Sequence, residues 1–479
     1  MPSRMIAVGF VAWMFAMWAA AGTAAELLVG TANIDITPDQ PIALQGQMHT
    51  RISSKVDSPL EASVVAIESR EGERSLDEAI MVSCDVCYFP GEVVEQVRSR
   101  VKELAPDIDP QKLFLSATHT HTGPVFEEGK YDMPGEGVMR PSEYTKFFVE
   151  RVADAAVRAW KGRKPGAVGW GLGHAVVGQN RRAVYADGSA QMYGATNRPD
   201  FRNIEGYEDH AIETLFFWNG EKKLVAAAIN LACTAQEVEG KSTVDADFVH
   251  PVRVALRQRH GQDLAVLAWI GAAGDQSPHL MFRKAAEERM RELRKLTRLE
   301  EIARRILIGV DEAYEGAQQD IRTEVPLVHK VKVLKLPVRK VTEKELAEAK
   351  AQVEAMSKDP KQQRIMLWHQ EVVDRYASQD ANPKHDAEVH VLRLGDVAIA
   401  TNPFELFLDF GIQMKARSQA LQTFVIELVG GAGYVPSAKA VPGGGYSAIV
   451  QSNTVGPEGG QMLADRTVEM INAMWAETR

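Results

Sequence analysis

The sequence predicts a single large α/β domain with a mixed β-sheet whose functional site lies at strand ends. Three observations carry this. From Glu78 the chain reads as a buried strand (EAIMVSCDV), a helix over about 91–104 and a second strand (KLFLSAT), the order of a right-handed crossover between parallel strands. AIETLFFW and LVAAAINLAC, joined through Asn219 and Gly220, read as an antiparallel hairpin, so the sheet is mixed. Apolar runs end repeatedly in turns of small or polar residues, as KLFL does in SATHTHTGP and DLAVLAWI in GAAGDQSPH, and in open sheets ligands gather beyond the carboxyl ends of strands.

The remaining elements follow in order. The chain opens on one cation, Arg4, then an uncharged apolar run that closes on small residues near Ala24 and Ala25. This is the pattern of a secretory leader, residues 1–25, with cleavage before Glu26 and an exported (secreted or periplasmic) product. An uncleaved anchor is the alternative, because about 20 apolar residues suffice to span a bilayer. A helix is expected over 142–161. The segment near 282–386, rich in Lys and Glu, reads as a mostly helical, solvated insertion. EVHVLRLGDVAIATNP then returns to strand, a helix starts near Glu405, and a glycine-rich stretch, PGGGYSAIVQSNTVGPEGG, precedes the last helix.

Composition narrows the function. The chain has 479 residues, 45% hydrophobic and 25% charged, with 55 Lys and Arg against 64 Asp and Glu. The resulting net charge of -9, with no stripe of Lys and Arg interleaved with aromatics, excludes the electrostatic footprint of a nucleic-acid binder. Three cysteines, Cys84, Cys87 and Cys233, are too few for a disulfide framework in a chain of this length. The CDVC spacing closes a strand instead of opening a helix, so these cysteines read as buried structural residues.

Four kinds of residue carry candidate chemistry. His119 and His121 stand two apart just past a strand, where a turn can aim both imidazoles into one cleft; imidazole suits zinc. Glu405, His250 and Tyr446 each lie at the edge of an apolar segment and could reach the same cleft. Ser277 follows a glycine-bearing turn whose backbone N–H groups could face an oxyanion. A plain turn with an Asx-type hydrogen bond accounts for the same residues.

SATHTHTGP, GDQSP, NPFE and GGYSAIVQSNTVGP, in that order, together with VGTANIDITP and QNRR at 179–182, resemble the neutral/alkaline ceramidase family. The resemblance runs through nearly the whole chain after the leader. It implies a catalytic domain that binds one zinc ion and hydrolyses the amide of N-acylsphingosines. It implies zinc ligands at His119, Glu405 and Tyr446, a nucleophile at Ser277, and His121 and Arg181 around the scissile amide. The implied partner is a small-molecule or lipid substrate, with peripheral membrane contact where that substrate is a lipid.

Two departures qualify the resemblance. The family's second zinc histidine lies in an ACHPT-like stretch, and this chain reads NLACTAQE, with Thr234 in its place. Nearby, STVDADFVH offers Asp245, Asp247 and His250; His250 is the expected replacement because a neutral imidazole preserves the site's charge and softness, and its alternative role is to cap the helix that follows. The second departure is that the chain stops without the C-terminal immunoglobulin-like domain of such ceramidases. The expectation is therefore an exported zinc-dependent hydrolase of an N-acyl lipid or a related amide or ester, attacking through Ser277 or through water activated by zinc. The alternatives are a non-catalytic protein with a degraded metal site and a metal-independent serine esterase.

Overall fold

The computed structural model describes residues 25–476, so nearly all of the expected leader lies outside the described residues. Eight strands form the larger sheet: β1 (Glu26–Asp35), β2 (Glu61–Glu71), β3 (Arg74–Cys84), β4 (Leu113–Ala117), β5 (Lys164–His174), β6 (Ala211–Asn219), β7 (Leu224–Leu231) and β8 (Ala265–Ile270). Their order across the sheet is β8-β7-β6-β5-β1-β2-β3-β4. The sheet is mixed, as expected. β3 and β4 are parallel and joined by helix α1 (Gly91–Leu104), whose Val93, Val94, Val97 and Val101 recur at helical spacing and are buried. Helix α2 (Pro141–Lys161) lies beside α1 over β1 to β4. At the other edge, β7 and β8 are parallel and joined through helix α3 (Val249–His260). The β6–β7 hairpin turns at Asn219 and Gly220 as read from sequence.

The segment near 282–386 combines four α-helices with one strand of a second sheet. It begins with helices α4 (Lys284–Arg294) and α5 (Arg298–Ala317). α5 buries Ile302, Ala303, Ile306, Val310 and Ala313 in one core with α3 and β6 to β8. A full strand follows, β9 (Leu327–Pro337), and then helices α6 (Glu343–Met356) and α7 (Gln363–Ser378). β9 is the edge of a second mixed sheet completed by β10 (Lys384–Leu394), β11 (Val397–Thr401) and β12 (Gln422–Ile426), in the order β9-β10-β11-β12. The lysines of LVHKVKVLKLP disguised that strand, because an edge strand keeps cations on its solvent side.

The two sheets stack face to face. Leu27, Val65, Phe114, Phe217, Leu267 and Trp269 of the larger sheet meet Leu327, Leu392, Leu394, Ile399, Phe424 and Ile426 of the smaller in one core. Fully burying each such side chain stabilises by roughly 1.5–3 kcal/mol. Helices α8 (Leu408–Arg417) and α9 (Pro457–Ala476) cover the outer face of the smaller sheet. The layers are therefore helix, sheet, sheet and helix. Among the described residues, no helix is long and apolar enough to cross a membrane.

Candidate metal centre and active site

The site forms where strand ends of both sheets meet. β4 ends at Ala117 and β11 at Thr401, which brings His119 and Glu405 together across the stacked layers. His119 is held in a left-handed backbone conformation, φ 63, uncommon for a residue with a Cβ and typical of sites where surrounding contacts impose it. Its Nδ1 donates to the Cys87 carbonyl oxygen at 2.8 Å. That leaves Nε2 facing the Glu405 carboxylate at 3.6 Å and His121 Nε2 at 3.3 Å.

Glu405 lies on a two-residue strand, Glu405–Leu406, paired in parallel with Tyr434–Val435, and Glu405 and Tyr434 share a rung. The Tyr434 hydroxyl faces the carboxylate and helps hold it ionised. Burial would push Glu405 up, yet His119 and Tyr434 bring it down to about 2. The expected tyrosine, Tyr446, does line the same cavity, but as a wall: its ring stacks on Trp368 of α7, centroids 5.5 Å apart, and meets the Tyr434 ring edge-on at 5.7 Å. Tyr434, which sequence reading missed, is the phenol on Glu405's own rung.

His121 is clamped from three sides. Its Nδ1 is 3.1 Å from Glu239 Oε2, and Glu239 in turn faces His279 Nε2 at 3.2 Å. Gln236 donates its amide N–H to His121 Nε2 at 2.6 Å. The other end of that amide, Gln236 Oε1, accepts from Thr234 Oγ1 at 2.9 Å and from Arg181 at 3.0 Å. The third contact is steric: a Cβ on Gly46, whose φ is +105, would come within 2.3 Å of the His121 ring, so only glycine leaves room for the imidazole. Cys87, expected to be structural, also touches the site. Its Sγ is 3.8 Å from His119 Nδ1, and although burial opposes ionisation, the two histidines bring the thiol down to about 6. Cys87, His119 and His121 together could hold a cation. Cys84 and Cys233 are free and buried, as expected.

Arg181 is buried and bonds to the site through several partners: Gln236, the Gly274 carbonyl at 3.0 Å, the Tyr434 hydroxyl at 3.3 Å and the Tyr193 hydroxyl at 2.9 Å. Tyr193 passes this on, donating to Ser277 Oγ at 3.2 Å. Ser277 Oγ also accepts the His279 N–H at 3.1 Å. Ser277 is wholly buried and lines neither neighbouring cavity.

His250 is not part of this arrangement. It occupies the first turn of α3 and lines a shallow depression against α5 with Leu296, Glu300 and Ala303. Asp247, φ 56, sets the turn into α3, which begins two residues later at Val249. Asp245 and Asp247 are spent on structure: the Asp245 carboxylate accepts from Ser58 Oγ at 2.6 Å and the Asp247 carboxylate from the amides of Val238 and Phe248.

Two cavities flank the centre. One of about 340 Å³ is lined by His119, His121, Glu405, Tyr434 and Tyr446 and, at its mouth, by Lys130, Glu127, Arg364, Trp368 and Glu371. Trp368, Arg364 and Glu371 come from α7, so the helices after β9 roof the site. The other, about 930 Å³, is lined by Tyr193, Glu239, His279, Leu280, Met281 and residues of α4. The His121–Glu239 pair is the partition between them.

The donor set fits a zinc ion. With Nδ1–H donated to a carbonyl, His119 turns Nε2 toward a carboxylate and a second imidazole nitrogen; against the cost of burial, Cys87 and Glu405 hold this imidazole well above its ordinary range, and a cation in place of the Nε2 proton would satisfy the same acceptors. Two ligands roughly 2.0–2.2 Å from one tetrahedral ion lie about 3.3–3.6 Å apart, the range of the two separations above.

No family model matches the sequence, and no curated protein does. Solved structures match the fold. Over 94% of this chain and 74% of that one, the crystal structure of neutral ceramidase from Pseudomonas aeruginosa aligns with a TM-score of 0.68 at 18% identity. A second, titled a ceramidase complexed with C2, aligns over 95% of this chain and 76% of its own, with a TM-score of 0.67 at 15% identity. At these identities the likeness is one of fold.

Proposed function

We propose that the protein is an exported zinc-dependent hydrolase of the neutral ceramidase type that cleaves the amide of an N-acyl lipid or a related amide or ester. The observation that carries this reading is the convergence of His119 Nε2, Glu405 and Tyr434 at one strand-end cleft, linked through Arg181 and Tyr193 to Ser277, in a fold shared with ceramidases. His119, Glu405 and Tyr434 would hold the zinc. A zinc ion bound there supplies a Lewis acid for a carbonyl oxygen and lowers the pKa of bound water from about 15.7 towards 7.

The protein's own groups divide the remaining work. Arg181 is a buried permanent cation whose burial cost is offset by the tyrosines and Glu405 around it; a fixed positive charge next to the site would favour negative charge developing on an acyl oxygen. Tyr193 and the His279 amide both donate to Ser277 Oγ, which fixes the hydroxyl oxygen in place. Ser277 has no exposed surface, so attack through it would require the groups packed over its hydroxyl to move.

The substrate reading follows from the cavity. Its volume is at the small end of the roughly 300–1,000 Å³ of ligand pockets, and its mouth carries Lys130, Arg364, Glu127 and Glu371. That favours a short or polar group at the scissile amide. Leu280, Met281 and Ala285 in the larger cavity offer the apolar surface for an acyl chain.

The test is a panel of ceramides, N-acyl amino acids and simple esters, run with elemental analysis of the purified protein. Stoichiometric zinc, activity lost on chelation and restored by zinc, and loss of both in His119→Ala and Glu405→Ala are expected. Zinc present with no activity on any member would sink the hydrolase reading, and full activity after exhaustive chelation would favour a metal-independent serine esterase.

A further inference from the structure

From the geometry around Thr234 we infer that His121 takes the place of the missing second zinc imidazole. This rests on the zinc reading above. Thr234 stands where the resemblance places a histidine, and its hydroxyl is spent on Gln236 Oε1 at 2.9 Å; a neutral hydroxyl is in any case a weak zinc ligand beside imidazole. His250 faces α5 at a separate depression.

His121 has the position and the tautomer the role needs. Nδ1 faces Glu239 Oε2 at 3.1 Å, and because Gln236 donates its amide N–H to Nε2 at 2.6 Å, the ring's proton is on Nδ1 and its lone pair on Nε2. That atom is 3.3 Å from His119 Nε2, a spacing within the edge length of a zinc tetrahedron, about 3.3–3.6 Å. Nδ1 of His119 is hydrogen-bonded to the Cys87 carbonyl, and Nδ1 of His121 lies beside the Glu239 carboxylate. A hydrogen bond from the far nitrogen to a carbonyl or carboxylate is what fixes and strengthens metal-binding histidines. Gly46 keeps the ring's seat open.

Gln236 is the competitor for that lone pair. Arg181 and Thr234 hold its carbonyl end, so its N–H end is aimed at His121 Nε2 at 2.6 Å. An imidazole nitrogen has one lone pair, and zinc and the amide cannot share it. His121 then joins His119 as the second imidazole, and Gln236 sets the strength with which it joins.

The experiment measures zinc affinity by competition with a chelator, and imidazole number by X-ray absorption at the zinc edge, in the intact protein and in His121→Ala, His121→Gln, His250→Ala and Gln236→Met. Thermal melts and near-ultraviolet circular dichroism confirm that each variant is folded; His121→Gln keeps a partner for Glu239 if the alanine variant does not fold. The expected result is two imidazoles in the parent and one in the His121 variants, with affinity weakened by about 100-fold or more, at least the loss caused by removing an outer partner. His250→Ala should match the parent, and Gln236→Met should bind as tightly or more so. Two imidazoles and unchanged affinity in a folded His121 variant, or loss of one imidazole in His250→Ala, would overturn the inference while leaving the zinc reading intact. A parent protein without zinc would overturn the zinc reading and this inference with it.

Discussion

Glu405 and Tyr434 are partners on one rung of a two-residue parallel ladder, and that pairing favours Tyr434 over Tyr446 as the phenol of the proposed zinc site. Tyr434→Phe should weaken zinc binding by roughly 10-fold or more and lower turnover with it. Tyr446→Phe keeps the ring stacked on Trp368 and should leave zinc affinity within about 2-fold, a change no larger than that from a residue outside the ligand shell. Equal losses in the two variants, read by chelator competition, would place both phenols on the ion.

Gly46 is the tightest steric constraint on His121. In Gly46→Ala the added Cβ meets the imidazole ring at 2.3 Å and the residue is forced to φ +105. The expected cost is about 1–3 kcal/mol in chemical denaturation, with displaced His121 and lower activity even where the protein is fully folded. A variant with parental activity and stability would mean that the ring has another seat.

Glu427 is fully buried, and its Oε2 accepts the amides of Ala273 and Leu406 at 3.1 and 2.8 Å. Burial pushes this carboxyl well above the usual range, against the pull of those two amides. Glu427→Ala strands both donors and should cost roughly 2–4 kcal/mol. A group whose folded pKa is raised loses stability as pH climbs above its unfolded value, near 4.3. Glu427→Gln should therefore be at least as stable as the parent at pH 7, with an advantage that grows between pH 5 and 7 in urea titrations. An advantage that shrinks with pH would show the carboxylate to be ionised in place.

His329 and His390 face each other across β9 and β10, nitrogen to nitrogen at 2.9 Å. Burial first, then the neighbouring imidazole, keeps His329 well below its ordinary range; burial also lowers His390 in spite of Glu388. Groups with depressed histidine pKa values stay neutral when folded, so their contribution is present above about pH 6.5 and is lost as pH falls below it. The melting temperature should drop between pH 7 and 5, and His329→Gln should flatten that slope. An unchanged slope would assign the acid sensitivity elsewhere.

Much of this was legible in the sequence where one local signal sufficed. The β3–α1–β4 crossover showed in the helical spacing of the valines of α1, the β6–β7 hairpin in Asn219 and Gly220, and the HxH pair in the turn after β4. The second sheet was not legible: its edge strand β9 lies between two pairs of charged helices and carries lysines on its open side. Nor was the position of Tyr434 beside Glu405, which arises from ladder register, a long-range property that no local pattern encodes. Gln236 and Glu239 read as ordinary polar residues because only the fold brings them against His121. The separation of His250 from His119 was hidden for a similar reason. Helix α3 starts at Val249 and carries it out of the cleft.

The placement of His119 after β4 and Glu405 after β11 has a mechanical consequence. Each residue is rooted in a different layer, so an ion gripped by both acts as a rivet through the stack. Binding to the native state alone adds RT ln(1 + [L]/Kd), about 4 kcal/mol at a thousandfold excess over Kd. That energy is spent at the seam between the sheets, where the strand ends would otherwise part first. Stripping the metal should loosen amide protection around Ser116–Thr120 and Thr401–Leu406 before it is felt at β5 or β6, so the chemistry of the cleft and the cohesion of the layers would fail together.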